Sequence, residues 1–251
     1  MSAAPSERLA ARVALSEPPP GGARVIAAWC VHLFTASGAV VAFLAWRAIS
    51  AGRFGDAFRW LVVAMAIDCV DGTFARAVGV KRVLPWFDGT KLDDIIDYIT
   101  YVMVPVVLLY EARLLPEGDG GLACAAAVLL ASAYGFCRTD AKTEDHYFRG
   151  FPSYWNVFAF YAFALRLSRG ATALWIVALA ILVFAPLKIL YPSRAPHFRR
   201  LSIALGLVWG ALMIPAIWMA PDSPPALVWA SLLYPAYYFA MSFWLQATGR
   251  A

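Results

Sequence analysis

Ala64-Met65-Ala66-Ile67-Asp68-Cys69-Val70-Asp71-Gly72-Thr73-Phe74-Ala75-Arg76 begins as an apolar helix and ends in charge. Twelve residues further on, Gly89-Thr90-Lys91-Leu92-Asp93-Asp94-Ile95-Ile96-Asp97 reverses the order, with acids leading into the apolar run Ile95 to Leu115. Asp68 and Asp71 are three apart and Asp93 and Asp97 four apart, so each pair shares one face of its helix. One membrane helix ends at the first pair and the next begins at the second. Carboxylates at that depth are costly unless they are paired, hydrated or coordinating a cation.

The rest of the chain has the composition of a lipid-embedded protein. Of 251 residues, 62% are hydrophobic and 15% charged. A soluble domain of this length cannot bury that much apolar side chain and still give its surface polar cover. The fold class is therefore read as all-α, a polytopic membrane helix bundle of about eight transmembrane helices. The spans are Val25 to Ile49, Ala57 to Val70, Ile95 to Leu115, Leu122 to Cys137, Phe151 to Leu167, Ala171 to Leu190, Leu201 to Met219 and Ala226 to Leu245. The second gains length if its helix continues past Asp71 towards Arg76. Barrel strands are excluded because the runs are long and do not alternate.

Residues 1–24 read as a cytoplasmic segment and 25–251 as the transmembrane domain. The first segment is polar and holds Pro18, Pro19 and Pro20, with no apolar core for a cleavable signal. Ser6 to Leu15 is expected to form an amphipathic helix on the membrane surface. Cys30, Cys69, Cys124 and Cys137 have no metal-ligand spacing and read as small hydrophobes.

Lys and Arg set the orientation. Arg76, Lys81, Arg82 and Lys91 follow the second span, Arg138, Lys142 and Arg149 the fourth, and Lys188, Arg194, Arg199 and Arg200 the sixth. Their excess over the alternate connections places both termini and the aspartate-rich connection on the cytoplasmic side. The net charge of the whole chain is +5, from 21 Lys and Arg against 16 Asp and Glu. The partner these basic residues imply is membrane lipid, and no nucleic acid is expected.

Six acids, Asp68, Asp71, Asp88, Asp93, Asp94 and Asp97, crowd into this connection and its flanking helix ends. Ion pairing with Arg76, Lys81, Arg82 and Lys91 accounts for any one of them, but not for the spacing of the set. Four carboxylates facing one point repel unless divalent cations neutralise them, and an all-oxygen site suits Mg²⁺ or Mn²⁺. Gly72 and Ala75 leave space beside Asp68 and Asp71, and Gly89 lies four before Asp93. Arg76 offers a planar cation suited to phosphate.

The string Asp68-x-x-Asp71-Gly72-x-x-Ala75-Arg76, then Gly89-x-x-x-Asp93-x-x-x-Asp97, resembles the signature of the CDP-alcohol phosphotransferases. Twelve residues separate Arg76 from Gly89, where most of that family has eight. The longer gap is similar to the bacterial phosphatidylcholine synthase branch. So are the eight spans, Val31-His32-x-Phe34-Thr35-Ala36, Leu92-Asp93-Asp94-x-x-Asp97-Tyr98, and Phe148-Arg149-Gly150-Phe151-Pro152-Ser153-Tyr154-Trp155-Asn156.

The resemblance implies a reaction. Asp68, Asp71 and Asp93 are expected to ligate metal, two ions of Mn²⁺ or Mg²⁺, and Asp97 to act as general base with a further metal contact. The donor would be CDP-diacylglycerol, with its nucleotide near Asp68, Gly72, Ala75, Arg76 and Gly89. Choline would attack, CMP would leave, and phosphatidylcholine would stay in the bilayer. The enzyme would be a homodimer in the bacterial inner membrane. Gly206 and Gly210, four apart in the seventh span, suit close helix contact between copies or within one chain.

His32, Thr35, Arg138 and Lys188 are further candidates for the donor, beside their alternatives of helix packing and headgroup anchoring. A quaternary ammonium is held by aromatic faces and a carboxylate. Tyr98, Glu144, Tyr154 and Trp155 are the candidates for choline, beside an interfacial aromatic belt. The four-aspartate motif does not name the alcohol, so serine, inositol and glycerol phosphate stay open as acceptors. A cation transporter is a rival of another class. Its acids would lie within the spans rather than at their ends, and no inverted repeat is visible.

Overall fold

A computed structural model describes residues 21–192 and 197–249. The expected surface helix at Ser6 to Leu15, and Arg194, lie outside these residues.

The chain opens with an antiparallel helix pair, α1 (Gly22–Ser50) and α2 (Phe54–Val78). α1 buries Ala28, Val31, His32, Thr35, Gly38, Ala42, Ala45, Ala48 and Ile49, one stripe at helical spacing made mainly of small residues. Its opposite face is bare: Leu33 is 71% and Phe43 63% exposed, as suits lipid. α2 runs past Asp71 and stops at Gly79, which takes a left-handed conformation (φ 72°) and donates its N–H to the Ala75 carbonyl.

A short turn, α3 (Val80–Val83), leads to α4 (Gly89–Asp97). Asp88 caps α4, accepting hydrogen bonds from the N–H groups of Thr90 and Lys91 at 3.1 Å. One of the six clustered acids is thus spent on starting the helix. α4 continues through a π-helical turn, Tyr98–Met103, into α5 (Val104–Glu111).

The second half holds α6 (Asp119–Cys137), α7 (Trp155–Ala164), α8 (Arg169–Phe184), α9 (Arg199–Trp218), α10 (Pro225–Ser231) and α11 (Leu233–Ala247). α7 is ten residues long, about 15 Å, and is buried on nearly every side. Phe58 meets Phe160 edge-to-face, and Trp209 donates to the Tyr161 hydroxyl, which pairs with Ser231. That chain of polar contacts ties α9, α7 and α10 together within apolar surroundings.

Among the described residues, four helices are long and apolar enough to cross a membrane: Gly22–Ser50, Asp119–Cys137, Arg199–Trp218 and the continuous Pro225–Ala247. The chain is a helical membrane protein.

The all-α expectation needs one correction. The sixth expected span, Ala171 to Leu190, stops being helical at Phe184, and its last residues form a strand. Pro186 is the reason: a residue before proline is driven out of the helical region, and Ala185 is extended (ψ 134°). β2 (Lys188–Leu190) then pairs antiparallel with β1 (Tyr147–Arg149), setting Tyr147 opposite Leu190 and Arg149 opposite Lys188. This small sheet fastens the Arg138–Tyr154 connection to the end of α8.

Candidate active site

Three helices build the site. Thr35 on α1 donates to Asp71 Oδ2 at 2.8 Å across to α2, and both side chains are buried. α4 lies close against the same face of α1. A methyl group added at Gly38 would sit 2.5 Å from Ile96 Cγ2, and one at Gly89 would sit 2.7 Å from the His32 ring. The two glycines therefore set how near α4 comes to α1.

This packing brings Asp68, Asp71 and Asp93 together, each offering a carboxylate oxygen within 4.8 Å of the others. Asp97 is half-buried one turn beyond Asp93 and is not one of those three. The π turn that follows carries Tyr101, whose hydroxyl donates to Asp68 Oδ2 at 2.7 Å. π-helical turns are rare and recur at functional sites. Among the described residues, none of these four aspartates has an ion-pair partner within 4 Å. Lys142, from the connection after α6, acts on Asp68, Asp93, Asp94 and Asp97 at Coulombic range. Convergent carboxylate oxygens steadied by hydroxyl donors fit a hard divalent cation, and Asp68, Asp71 and Asp93 can hold one.

The residues expected around a nucleotide are in three different situations. Gly72 and Ala75 lie on α2, but Ala75 packs against the apolar cluster of Ala28, Val31, Val80, Val83 and Leu84. Arg76 folds back along its own helix. It donates to Thr73 Oγ1 at 3.0 Å and comes within 3.2 Å of where a Gly72 methyl would lie. Gly89 gives no ligand space, because the His32 ring fills it. His32 itself is 5% exposed, packed on Phe87 at 4.4 Å, with no hydrogen bond to Nε2 among the described residues.

Arg138 and Lys188 have partners elsewhere. Arg138 forms two hydrogen bonds to Asp140, whose other neighbour is Arg149 at 3.1 Å. Lys188 binds Asp145 at 2.6 Å. The hydrogen bond from Arg138 holds Asp140 below the usual carboxylate range, and those from Lys188 and Thr143 do the same for Asp145. These pairs brace the small sheet rather than reach the aspartates.

Two of the four residues expected around choline are placed against that role. Trp155 is 0% exposed, wedged edge-on between Phe151 and Phe158, with its indole N–H donated to Ser132. No face of it is open to a ligand. Tyr98 donates its hydroxyl to the Leu129 carbonyl on α6 and meets Phe136, turned towards that helix. Glu144 is exposed in the connection. Tyr154 alone sits beside the aspartate site, 6.1 Å from Tyr101. Sequence reasoning did not single out Tyr101 over Tyr98, because the π turn that separates their directions leaves no pattern in the residues.

No family model matches the chain. The chain is 36% identical over 221 residues to the phosphatidylcholine synthase of Rhizobium meliloti (strain 1021), covering 88% of this chain and 91% of that one. It is 37% identical over 220 residues to the phosphatidylcholine synthase of Pseudomonas aeruginosa, covering 88% and 92%. That of Borreliella burgdorferi is 37% identical over 194 residues, covering 77% and 82%. The chain belongs to the phosphatidylcholine synthase family. The part of the chain aligned with the Rhizobium relative is long enough to take in most of the helices described above, so family membership concerns the bundle as a whole.

Proposed function

We propose that the chain transfers the phosphatidyl group of CDP-diacylglycerol to choline, giving phosphatidylcholine and CMP. The observation that carries this reading is the convergence of Asp68, Asp71 and Asp93 with Asp97 one helical turn away. The family relatives at 36–37% identity favour choline over serine, inositol or glycerol phosphate, and a transferase over a transporter. The broader kinship proposed is with the CDP-alcohol phosphotransferases.

Asp68, Asp71 and Asp93 would hold a divalent cation, which when bound would supply positive charge against the donor diphosphate and the departing phosphate. Manganese or magnesium suits the donors, and two ions would balance the acids. Asp97 takes the proton of the choline hydroxyl as its oxygen bonds to the phosphorus carrying diacylglycerol. The bond from that phosphorus to the oxygen bridging to cytidine monophosphate breaks, and CMP leaves with that oxygen. Thr35 and Tyr101 hold Asp71 and Asp68 in place throughout. Arg76, freed from Thr73, is the cation nearest Gly72 for the nucleotide phosphate.

The proposed setting is the bacterial inner membrane, with about eight spans in residues 25–251, a cytoplasmic segment before them, and site and termini on the cytoplasmic face. There the donor arrives through lipid and choline through water. A homodimer is proposed. Gly206 faces Tyr234 of its own chain, whereas Gly210 has open space beside it.

The test is CMP release by the purified protein with CDP-diacylglycerol, Mn²⁺ and a panel of acceptors. Choline alone should support turnover. Turnover with serine, inositol or glycerol phosphate but not with choline would overturn the assignment.

A further inference from the structure

Tyr101 and Phe148 meet Tyr154, Tyr191 stacks on Phe148, and these four rings come from four separate parts of the chain. Tyr101 approaches from the π turn with ring centroids 6.1 Å apart. Phe148, on β1, stands edge-on to Tyr154 at 6.4 Å. Phe148 is also stacked on Tyr191 at 4.5 Å, just after β2. Tyr154 itself packs against both the main helix core and the smaller cluster of Tyr147, Ile189, Leu190, Tyr238 and Leu245. It is nevertheless only half-buried, as are Phe148 and Tyr191.

The set is anchored to the aspartates at one end, because Tyr101 donates to Asp68. Asp68 and Asp97 both act on Tyr154 at Coulombic range. Tyr154 in turn acts on Tyr238, whose hydroxyl has no hydrogen-bond partner among the described residues. The surroundings combine π faces, carboxylates and an oxygen with no donor to receive. The neighbouring cations Arg138, Arg149 and Lys188 are paired with Asp140 and Asp145, and Lys142, whose backbone bridges to Phe148, acts on the aspartates. An alkylated ammonium, which donates no hydrogen bond and is drawn to ring faces, fits all three features.

We infer that Tyr101, Phe148, Tyr154 and Tyr191 form the subsite for a quaternary ammonium group. The inference rests on the reading of choline as acceptor, and it replaces Tyr98, Glu144 and Trp155 with Tyr101, Phe148 and Tyr191. Tyr101 is shared: its hydroxyl steadies a metal ligand and its ring closes the ammonium subsite. The acceptor hydroxyl is thereby kept within one side chain of Asp68, next to Asp97. The small sheet gains a purpose, because β1 and β2 carry Phe148 and Tyr191 to this place.

The experiment compares Tyr154→Leu and Tyr191→Leu with Tyr154→Phe and Tyr191→Phe, and adds tetramethylammonium as a probe. Both leucine variants should raise the KM for choline about tenfold or more. Both phenylalanine variants should stay within about threefold of wild type, since the ring face is kept. The KM for CDP-diacylglycerol should not move in any of them. Tetramethylammonium should inhibit the wild type in competition with choline and lose potency in the leucine variants in parallel with choline. An unchanged choline KM in both leucine variants, or a rise in step with that for CDP-diacylglycerol, overturns the assignment. If the leucine variants do not fold, the wild type still decides, because tetramethylammonium that fails to compete with choline overturns it as well. A wild type that turns over without choline but with another acceptor instead refutes the proposed function, which is a separate result.

Discussion

Two groups of carboxylates in this molecule are satisfied in opposite ways. In the connection after α6, Asp140 is bound by Arg138 and Arg149, and Asp145 by Lys188. In the α2–α4 hairpin, Asp71 is bound by Thr35 and Asp68 by Tyr101, hydroxyls that supply a hydrogen bond but no charge. The first group is electrically closed and braces a sheet. The second is oriented but left with its negative charge, which Lys142 offsets only at a distance. Acids whose charge the chain neutralises are architecture. Acids that the chain aims without neutralising are a site for a cation from outside.

Removing a charge from each group should break the symmetry between them. Asp93→Asn is expected to lower CMP release by about a thousandfold or more, since one of three converging ligands is lost. Asp145→Asn, with the same change of charge, should leave kcat within about threefold. Comparable losses in both would show that the distinction is wrong.

Within the second group, Asp97 should separate from its neighbours. Asp97→Asn is expected to reduce kcat by roughly 10² to 10⁴, the range for loss of a general base. Mn²⁺ affinity, measured by electron paramagnetic resonance on the unreacted protein, should stay near wild type, whereas Asp68→Asn should weaken it. A large loss of Mn²⁺ binding in Asp97→Asn would move that residue from base to ligand.

The helix pairs and the acids were legible because their rules are local. Apolar length gives the long helices, and three- and four-residue spacing puts Asp68 with Asp71 and Asp93 with Asp97. What sequence could not give depends on long-range approach. Nothing local says that Gly89 is small for the His32 ring rather than for a ligand, or that Asp88 is a cap rather than a member of the cluster. Trp155 read as a choline candidate and proved to be core, because burial of its indole depends on Ser132 twenty-three residues earlier. The strand at Lys188–Leu190 was hidden inside an apolar run, although Pro186 marked where the helix had to stop.

Tyr101 sharpens the contrast further, because it acts on a charged ligand without carrying charge. Tyr101→Phe keeps the ring and removes only the hydrogen bond to Asp68. Loss of such an outer contact weakens metal binding by about 10- to 100-fold in comparable sites. The Mn²⁺ concentration for half-maximal CMP release should therefore rise by about that factor, while the KM for choline changes little. A reversed pattern, choline KM up and metal dependence unmoved, would mean that the hydroxyl serves the acceptor instead.

The smallest effect belongs to the braced group. Lys188 and Asp145 are both partly exposed, so water and salt screen their attraction. Their hydrogen bond keeps the Asp145 carboxyl below the usual range. A group whose folded pKa is depressed contributes stability that is present above its unfolded value of about 3.9 and lost as pH falls through the folded one. Between about pH 6 and 8 the Asp145 carboxylate stays ionised, so it should leave no inflection in the activity profile. Lys188→Gln should shift the melting temperature by only about a degree or two at neutral pH, and less in high salt. The shift should shrink as the pH falls below about 4, because the carboxylate that Lys188 binds is then being protonated in the unfolded chain and afterwards in the folded one. A variant whose melting temperature fell by ten degrees would place this pair among the structural essentials. An ion pair at the edge of a two-stranded sheet would then matter more to the bundle than its exposure allows.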